Sequence, residues 1–408
     1  MANTKNWLGM EVRECFMNKK VALCILALIV VCTSYVYAQQ YDNESDFRVS
    51  LLKDGKSLEI TKYVGEKQTV NIPPSIEGIT VTRIGDYAFD NKEKIIRITI
   101  PNTVTSIGDA VFQNCKSLTN ITLPASVTSI GDGAFSACAS LTDITVDGRN
   151  PNYSSEGRIL YNKAKTELIV APPAGISGAV IIPASVRSIG DIAFQDCSSL
   201  TSITIPLGVT SISEGAFSGC TSLTSITVST NNPNYASEGG ILFNKTKTQL
   251  IAYPSANGAV IIPASVRSIG EYAFNGCTNL TSITIPTGVT SISEGAFSGC
   301  TSLTSITIPA SVTSIGDSAF NGCTNLTSIT IPASVTSIGN NAFTFCTSLT
   351  SITIPASVRT VGYCAFPWND AQKTINVRGH ASQASADRAW GASWREYCKA
   401  KIVYQGGN

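Results

Sequence analysis

The stretch CTSLTSITIPASVTSIGDSAF, residues 300–320, recurs along most of the chain with a period of 23 residues. A fixed period of this size is typical of proteins that are built as a stack of similar coils. One coil is too small to bury a core of its own, so neighbouring coils have to supply it. Phenylalanine marks the register, at Phe89, Phe112, Phe135, Phe194, Phe217, Phe274, Phe297, Phe320, Phe343 and Phe366.

Within each unit, alternating residues predict a β-strand followed by an extended return. Ile306 and Ile308 are two residues apart, so they share the buried face of a strand. Pro309 ends that strand because proline has no N–H to donate to a ladder. The segment VTSI at residues 312–315 provides a second inward pair on the return. We expect residues 317–323 to close the coil as a short helical or 3₁₀ turn.

Cysteine recurs at the same period, so each thiol should occupy the same place in its coil. A buried free cysteine behaves as a small apolar residue, and the sequence has no CxxC or Cys–His cluster of the kind that binds zinc. The spacing therefore favours a stack of buried thiols, formed by Cys115, Cys138, Cys197, Cys220, Cys277, Cys300, Cys323 and Cys346. Cys364 and Cys398 lie outside this series, and a disulfide between them remains an open alternative.

The strand Leu-x-x-Ile-x-Ile-Pro, the return Val-x-x-Ile-Gly and the turn Ala-Phe-x-x-Cys resemble the BspA-like branch of the leucine-rich repeat family, from about Val70 to Val377. The resemblance implies a repeat solenoid, a right-handed superhelix with one parallel β-sheet, short helical or 3₁₀ turns, two hairpin insertions and a cap at each end. One position departs from the general family pattern. Ser311 stands where Asn or Cys is common, so the ladder of side-chain amides is missing.

Two related segments interrupt the repeat, NPNYSSEGRILYNKAKTELIVAPP at residues 150–173 and NPNYASEGGILFNKTKTQLIAYPS at residues 232–255. In the first segment, residues 159–161 and 168–170 read as two strands around a polar turn, which predicts a hairpin. The second segment repeats this pattern. We expect the second strand of each hairpin to join the stack as an extra rung.

The two ends of the chain differ from the repeats. Lys19 and Lys20 precede an apolar run that ends near Ala38, as in a secretory signal peptide, with Met17 as an alternative start and an uncleaved anchor as the alternative reading. The predicted parts are a signal peptide at residues 1–38, an N-terminal capping hairpin at 39–68, a solenoid at 69–377 with insertions at about 147–175 and 229–257, and a C-terminal cap at 378–408.

Both caps have their own sequence signals. Residues 47–63 read as a hairpin with Asp54 and Gly55 at its turn. Near the other end, Ala386, Trp390, Trp394 and Tyr397 follow a helical spacing and predict a helix that covers the last coil, followed by one more strand.

Residue patterns for catalysis, metal binding or cofactor binding are absent from the sequence. The net charge is +1 with 14% charged residues and no long charged run, which argues against nucleic acid and charged membranes as partners. The single histidine, His380, has no spacing to Asp387 or to a serine that suggests a Ser-His-Asp site. We predict a protein that is not an enzyme and that binds no cofactor.

The candidate binding residues lie on the strands and in the insertions. The outward residues of the strands predict two files of small hydroxyls, Ser202, Thr204, Ser225, Thr227, Ser282, Thr284, Ser305, Thr307, Ser328, Thr330, Ser351 and Thr353. The plainer alternative is that threonine is simply a good residue for an exposed strand. The insertions add aromatic contact candidates, Tyr153, Tyr161, Tyr235, Phe243 and Tyr253.

Three functions are compatible with this scaffold. The family resemblance implies a secreted or cell-surface adhesin that binds extracellular proteins or other surface macromolecules, away from the membrane once the signal is cleaved. A structural surface protein or biofilm protein that self-associates weakly is the alternative. A binder of ice or another crystal surface is the third, suggested by the regular hydroxyl files.

Overall fold

Each 23-residue unit forms one coil of a parallel β-solenoid of about 15 turns, as the sequence predicts. The computed structural model describes residues 41–254, 256–368 and 370–406, and the described residues from Asn43 onward form one compact unit. The predicted signal peptide, residues 1–38, lies outside the described residues.

Each coil contributes strands to two series of parallel sheets, whereas the sequence predicted one sheet. The LTSIT segments form the first, which we call the outer sheet; for example, residues 305–307 pair in register with residues 328–330. The return of each coil adds a two-residue strand, such as Ser314–Ile315, which pairs with Ser337–Ile338. We call this second file the return sheet. It forms because the Ser-Ile pair is also extended and meets its own copy in the next coil.

The predicted helical or 3₁₀ turn at residues 317–323 is wrong: this part of each coil is a run of hydrogen-bonded turns. Ser318 has a positive φ of 52°, which ends any helix. Alternate N–H groups point to the next coil, so that Ser318 donates to the carbonyl of Asn340 at 2.7 Å and Phe320 to that of Ala342 at 2.9 Å. Hydrogen bonds between coils thus replace those within a helix.

The first block, residues 47–146, opens with the predicted hairpin of Phe47–Leu51 and Ser57–Tyr63, and one 3₁₀ turn, Glu44–Asp46, precedes it. A further short strand, β4, pairs antiparallel with β5. The strands are β1 (Phe47–Leu51), β2 (Ser57–Tyr63), β3 (Thr69–Asn71), β4 (Ser75–Ile76), β5 (Ile79–Ile84), β6 (Arg97–Thr99), β7 (Ser106–Ile107), β8 (Asn120–Leu123), β9 (Ser129–Ile130) and β10 (Asp143–Val146).

The first insertion contains three antiparallel strands, one more than predicted, and leads into the second block, residues 176–228. Its third strand, β13, pairs with the return strand β15, so it joins the stack as expected. The strands are β11 (Tyr153–Glu156), β12 (Ile159–Asn162), β13 (Glu167–Val170), β14 (Gly178–Ile181), β15 (Ser188–Ile189), β16 (Leu200–Ile205), β17 (Ser211–Ile212) and β18 (Ser225–Val228).

The second insertion repeats this arrangement and leads into the third block, residues 258–378, before the C-terminal cap. The strands are β19 (Tyr235–Glu238), β20 (Ile241–Asn244), β21 (Gln249–Ala252), β22 (Gly258–Ile261), β23 (Ser268–Ile269), β24 (Leu280–Thr284), β25 (Ser291–Ile292), β26 (Ser305–Thr307), β27 (Ser314–Ile315), β28 (Ser328–Thr330), β29 (Ser337–Ile338), β30 (Ser351–Ile354), β31 (Thr360–Val361), β32 (Thr374–Arg378) and β33 (Lys401–Gln405).

The C-terminal cap holds a helix, a 3₁₀ turn at Ala392–Arg395 and the last strand, β33, which pairs with β32. The helix α1, Gln383–Trp390, begins at the N-cap residue Ser382 and ends at Gly391, which has a φ of 76°. Ala386, Trp390 and Trp394 are buried, but Tyr397 is 70% exposed. Tyr397 was expected on the buried face; the break at Gly391 takes it out of the helical register.

The core is divided into three clusters, and the boundaries lie on the insertion strands β12 and β20. In β12, Leu160 packs with the first block, while its neighbours Ile159 and Tyr161 pack with the second. In β20, Leu242 belongs to the second cluster and Phe243 to the third. Successive side chains of a strand point to opposite faces, so each of these strands forms a wall with one core on either side.

Rings and thiols stack along each core at the repeat period. The Phe297 and Phe320 rings lie 5.5 Å apart at an interplanar angle of 9°. The eight thiols of the predicted series are buried and unpaired, and Cys300 Sγ lies 3.2 Å from the carbonyl oxygen of Phe274, to which it donates. Cys364 and Cys398 are also free thiols, so the alternative of a disulfide between them is not realised.

Candidate functional site

The outward side chains of the outer sheet, which we call the outer face, are small hydroxyls whose polar atoms are left to solvent. Ser305 and Thr307 are exposed on either side of the buried Ile306. By contrast, the exposed Thr304 and Thr327 beside this face are engaged, and Thr327 Oγ1 donates to the Thr304 carbonyl at 3.1 Å. Among the groups that the structure describes, the twelve predicted Ser and Thr hydroxyls make no hydrogen bond to protein.

The outer face is interrupted at the insertions, so the twelve hydroxyls do not form two continuous files. Strand β18 of the second block does not pair with β22 of the third, because the second insertion lies between them. Ser202, Thr204, Ser225 and Thr227 therefore form a small group of their own. The remaining eight belong to the third block, where the ladder also stops between β28 and β30.

The first outer-sheet strand of the second and third blocks carries an exposed isoleucine. Ile181 pairs in register with Thr204, and Ile261 with Thr284. Their side chains are 78% and 79% exposed, so each block presents an apolar group beside its hydroxyls. The sequence analysis missed both residues. The signal was present, because AVIIP places isoleucine where TSITIP has threonine.

Two of the five aromatic residues predicted as contact anchors are core residues instead. Tyr161 is 2% exposed and Phe243 is 1% exposed. Both lie on the wall strands β12 and β20, with their rings turned towards the following block. Burial also raises the pKa of the Tyr161 hydroxyl to about 12.

The other three insertion aromatics are half-buried and take part in the framework. Tyr235 Oη accepts the backbone N–H of Ile212 at 2.8 Å, and Tyr153 makes the corresponding bond to Ile130. Each tyrosine hydroxyl therefore accepts a backbone N–H that would otherwise donate to the next return strand. Tyr253 packs against Phe274 with ring centroids 5.5 Å apart. The prediction of contact anchors underestimated this structural role.

Each insertion is held by a buried asparagine that the sequence analysis did not single out. Asn150 is fully buried, and its Nδ2 donates to the carbonyls of Pro124 and Val127 at 2.9 and 3.0 Å. Its Oδ1 accepts the N–H groups of Asn152 and Tyr153, both at 2.8 Å. Asn232 makes the same bonds in the second insertion. The signal was the shared motif Asn-Pro-Asn-Tyr.

The single histidine is near a serine, but the arrangement lacks an orienting acid. His380 Nδ1 lies 3.1 Å from Ser385 Oγ, and the His380 ring packs edge-on against Trp390. Asp387 is occupied elsewhere, because its carboxylate accepts from Arg395 and from Trp394 Nε1. The group is thus part of the C-terminal cap. Clusters of three or more metal-binding side chains do not occur in the described part of the chain.

Comparison with known proteins identifies the repeat. The pattern that describes the BspA type leucine rich repeat region, with 6 copies, matches residues 68–167, 177–256 and 253–372. The chain belongs to the BspA-type leucine-rich repeat family. No functionally curated protein matches its sequence.

Several solved structures resemble this BspA-type chain. A leucine rich cell surface protein of Faecalibacterium prausnitzii is 28% identical, covers 91% of this chain and 97% of its own, and has a TM-score of 0.46. A leucine-rich repeat protein of Eubacterium ventriosum is 26% identical over 88% and 94%, with a TM-score of 0.47. The pneumococcal vaccine antigen PcpA is 21% identical over 83% and 80%, with a TM-score of 0.44.

As predicted, the amide ladder typical of the wider family is missing here, and serine hydroxyls form a ladder in its place. Ser311 Oγ donates to the carbonyl of Val289 at 2.6 Å, and Ser334 and Ser357 repeat this bond in later coils. The serines therefore bridge consecutive coils. None of the helices in the described residues is long and apolar enough to cross a membrane.

Proposed function

We propose that this protein is an exported, non-catalytic scaffold that attaches through its outer face to extracellular proteins or other cell-surface macromolecules, as an adhesin does. Membership of the BspA-type family supports a surface-binding role. The proposal includes neither a cofactor nor nucleic acid as a partner. Its export component predicts that the secreted form begins at Gln39, which N-terminal sequencing of the secreted protein checks.

The observation that carries the proposal is the contrast in hydroxyl bonding at exposed threonines. Beside the outer face, threonine hydroxyls bond the preceding coil, as Thr304 does with the carbonyl of Thr281 at 3.1 Å. On the outer face, Thr284 and Thr307 keep donor and acceptor available to a partner. A repeated surface can gain affinity from many weak contacts when a partner engages several at once.

Ile181 and Ile261 supply the apolar contact area that the outer-face hydroxyls lack. Interfaces usually draw most of their energy from a few apolar or aromatic side chains that become fully buried. Each exposed isoleucine lies in register with an outer-face threonine of the next coil, Thr204 or Thr284. A partner that covers this edge would bury the isoleucine side chain and at the same time form hydrogen bonds with the adjacent hydroxyls.

Retention on surfaces tests the proposal. Purified protein is passed over immobilised extracellular matrix proteins and over cells, and the variant Thr284→Lys/Thr307→Lys is compared with Thr290→Lys/Thr313→Lys. The control pair has the same spacing and is also exposed, but lies on the return side. We expect the outer-face variant to lose at least about tenfold in retention and the control to keep it. Equal retention of the two variants, or none across the panel by the unmodified protein, contradicts the proposal.

The exposed isoleucines also support the alternative of self-association, since an apolar side chain on a sheet face is a contact that two copies could share. Light scattering across a range of concentrations distinguishes the two functions. Concentration-dependent oligomers that disappear in Ile181→Thr/Ile261→Thr support a self-associating surface protein. A monomer at every concentration excludes it.

A further inference from the structure

The first insertion leaves a cavity of about 210 Å³ between the first and second blocks. Half-buried apolar side chains form its walls, including those of Ile130, Ile169 and Ile192, together with the Tyr153 ring. An apolar cavity of roughly 150 Å³ is already large enough for a benzene-sized molecule. This cleft can therefore take a short apolar chain.

The equivalent cleft at the second insertion is closed, with a volume of about 10 Å³. The residue that corresponds to Ile192 there is Tyr272, which lies against Gly215: a Cβ on that glycine would stand 3.2 Å from Tyr272 Cδ2. The Tyr272 hydroxyl donates to Glu294 Oε1 at 2.5 Å, which holds the ring in place. At the second insertion the Tyr272 ring thus occupies space beside Gly215, whereas the first cleft has the smaller Ile192 at the corresponding position.

Ile192 is an unusual residue for its backbone conformation. It has a φ of 47°, a left-handed value that a β-branched residue rarely adopts. The same turn position in neighbouring coils carries Gly133, Gly215 or Tyr272, with φ values of 62°, 65° and 55°. Backbone strain of this kind is often retained where it serves a site. Here the strained residue is Ile192, which lines the cleft.

The rim of the open cleft is negatively charged. Asp132, Glu167 and Asp191 line it, and no lysine or arginine does. Burial and the nearby carboxylates of Asp132 and Glu214 raise the pKa of Asp191, as expected where like charges lack a cation. Gln195 crosses the cleft, where its Oε1 accepts from Ser136 Oγ at 2.7 Å and ties the two blocks together.

We propose that the first cleft binds a small organic cation, a primary ammonium or guanidinium group at the end of a short alkyl chain. The chain would lie between Ile130, Ile169 and Ile192, and the cationic head would meet the carboxylates at the rim. A free amine and a lysine or arginine side chain of another protein share this chemistry. The inference is independent of the outer-face adhesin, since its test uses neither a partner protein nor a surface.

Calorimetric titration with pentylamine, butylguanidine and the neutral 1-pentanol tests the site. We expect both cations to bind at least about tenfold more tightly than the alcohol. Ile192→Tyr, which fills the cleft with the residue found at the second insertion, should reduce cation binding at least about tenfold. Asp191→Asn should reduce it severalfold, whereas Asp317→Asn, which lies in the third block and does not line the cleft, should change it less than twofold.

Three results would overturn the inference: no binding of either cation, equal binding of amine and alcohol, or unchanged binding in Ile192→Tyr. Near-ultraviolet circular dichroism checks that the variants keep native packing, and Asp191→Asn provides a second probe that leaves the cavity shape intact. N-acetyl-lysine methylamide separates the two sources. Binding comparable to that of pentylamine indicates a protein side chain, and binding of pentylamine alone indicates a free amine.

Discussion

The regular coils and the insertions solve the same hydrogen-bonding problem in different ways. In a regular coil, the backbone groups of the strands bond the matching segment of the next coil, as when the Thr327 N–H donates to the Thr304 carbonyl. An insertion has no copy beside it. There Asn150, Tyr153 and Ser155 take over, and Ser155 Oγ accepts the N–H of Val146 at the end of β10. The backbone groups at a sheet edge are therefore paired either by the next copy of the coil or by individual side chains of an insertion.

The largest effect that this comparison predicts is collective and depends on pH. Burial raises the pKa of the Cys115, Cys197 and Cys346 thiols to about 12, from an ordinary value of 9.0. Since thiols of the unfolded chain ionise near pH 9 while the folded ones stay neutral, the stabilisation is complete below pH 9. It is lost as pH rises towards 12. Each thiol should lower the free energy of unfolding by up to ~1.4 kcal/mol per pH unit.

Denaturant unfolding at pH 8 and pH 10 measures this loss, and Cys300→Ala should make the pH dependence shallower. The insertions contain no cysteine, so we expect the regular coils to open first at pH 10, and hydrogen exchange at that pH measures this order. Equal pH dependence in the variant and in the unmodified protein contradicts the expectation.

The second prediction compares the loss of stability when a phenylalanine is removed from the middle of a ring stack and from its end. The Phe320 ring lies between those of Phe297 and Phe343, at 5.5 and 5.4 Å, whereas Phe217 at the end of the second block stacks on Phe194 and is 6% exposed. We expect Phe320→Ala to cost about 4 kcal/mol of unfolding free energy and Phe217→Ala about 1 kcal/mol less. Denaturant unfolding of both variants compares them, and a larger cost at Phe217 would be inconsistent with this stacking.

A third prediction concerns the insertion itself. Asn150→Ala removes four hydrogen bonds and leaves the carbonyls of Pro124 and Val127 without that donor, so it should cost about 3 kcal/mol. The matched control is Asn152→Ala, whose side chain makes one exposed bond to the Thr128 carbonyl and should cost under about 1 kcal/mol. Similar unfolding free energies for the two variants would show that the buried amide does not hold the insertion.

The smallest effect tests the serine ladder of the regular coils. Ser334→Ala removes the bond to the Val312 carbonyl at 2.6 Å and should lower the free energy of unfolding by about 1 kcal/mol. Ser305→Ala on the outer face removes a hydroxyl without a protein partner and should change it by under about 0.5 kcal/mol. Thermal unfolding of the pair measures the difference, and no difference would count against a stabilising role of the ladder.

The sequence predicted the features that recur in every coil, and it missed many of those that depend on contacts between coils or blocks. The stacked coils and the thiol series follow directly from period and alternation, because identical units meet identical neighbours. Residues 317–323 were misassigned because propensity within one unit cannot show that Ser318 bonds the next coil. Tyr161 and Phe243 were misplaced for a similar reason. Both faces of their strands are apolar, and the sequence of one strand does not show that each face packs against the core of a different block. The open cleft depends on Ile192, which lies far in sequence from Ile130.

The wall strands have a consequence for how such a chain could change in length. Each insertion closes the sheets of the block before it through side chains and starts new sheets behind it. A block and its insertion could therefore be duplicated or deleted by recombination without leaving a neighbour's edge unpaired. Asn150 and Asn232 are 82 residues apart, and the segment that begins at Asn232 repeats most of the segment that begins at Asn150. Growth by whole blocks would extend the outer face while every existing coil keeps its contacts.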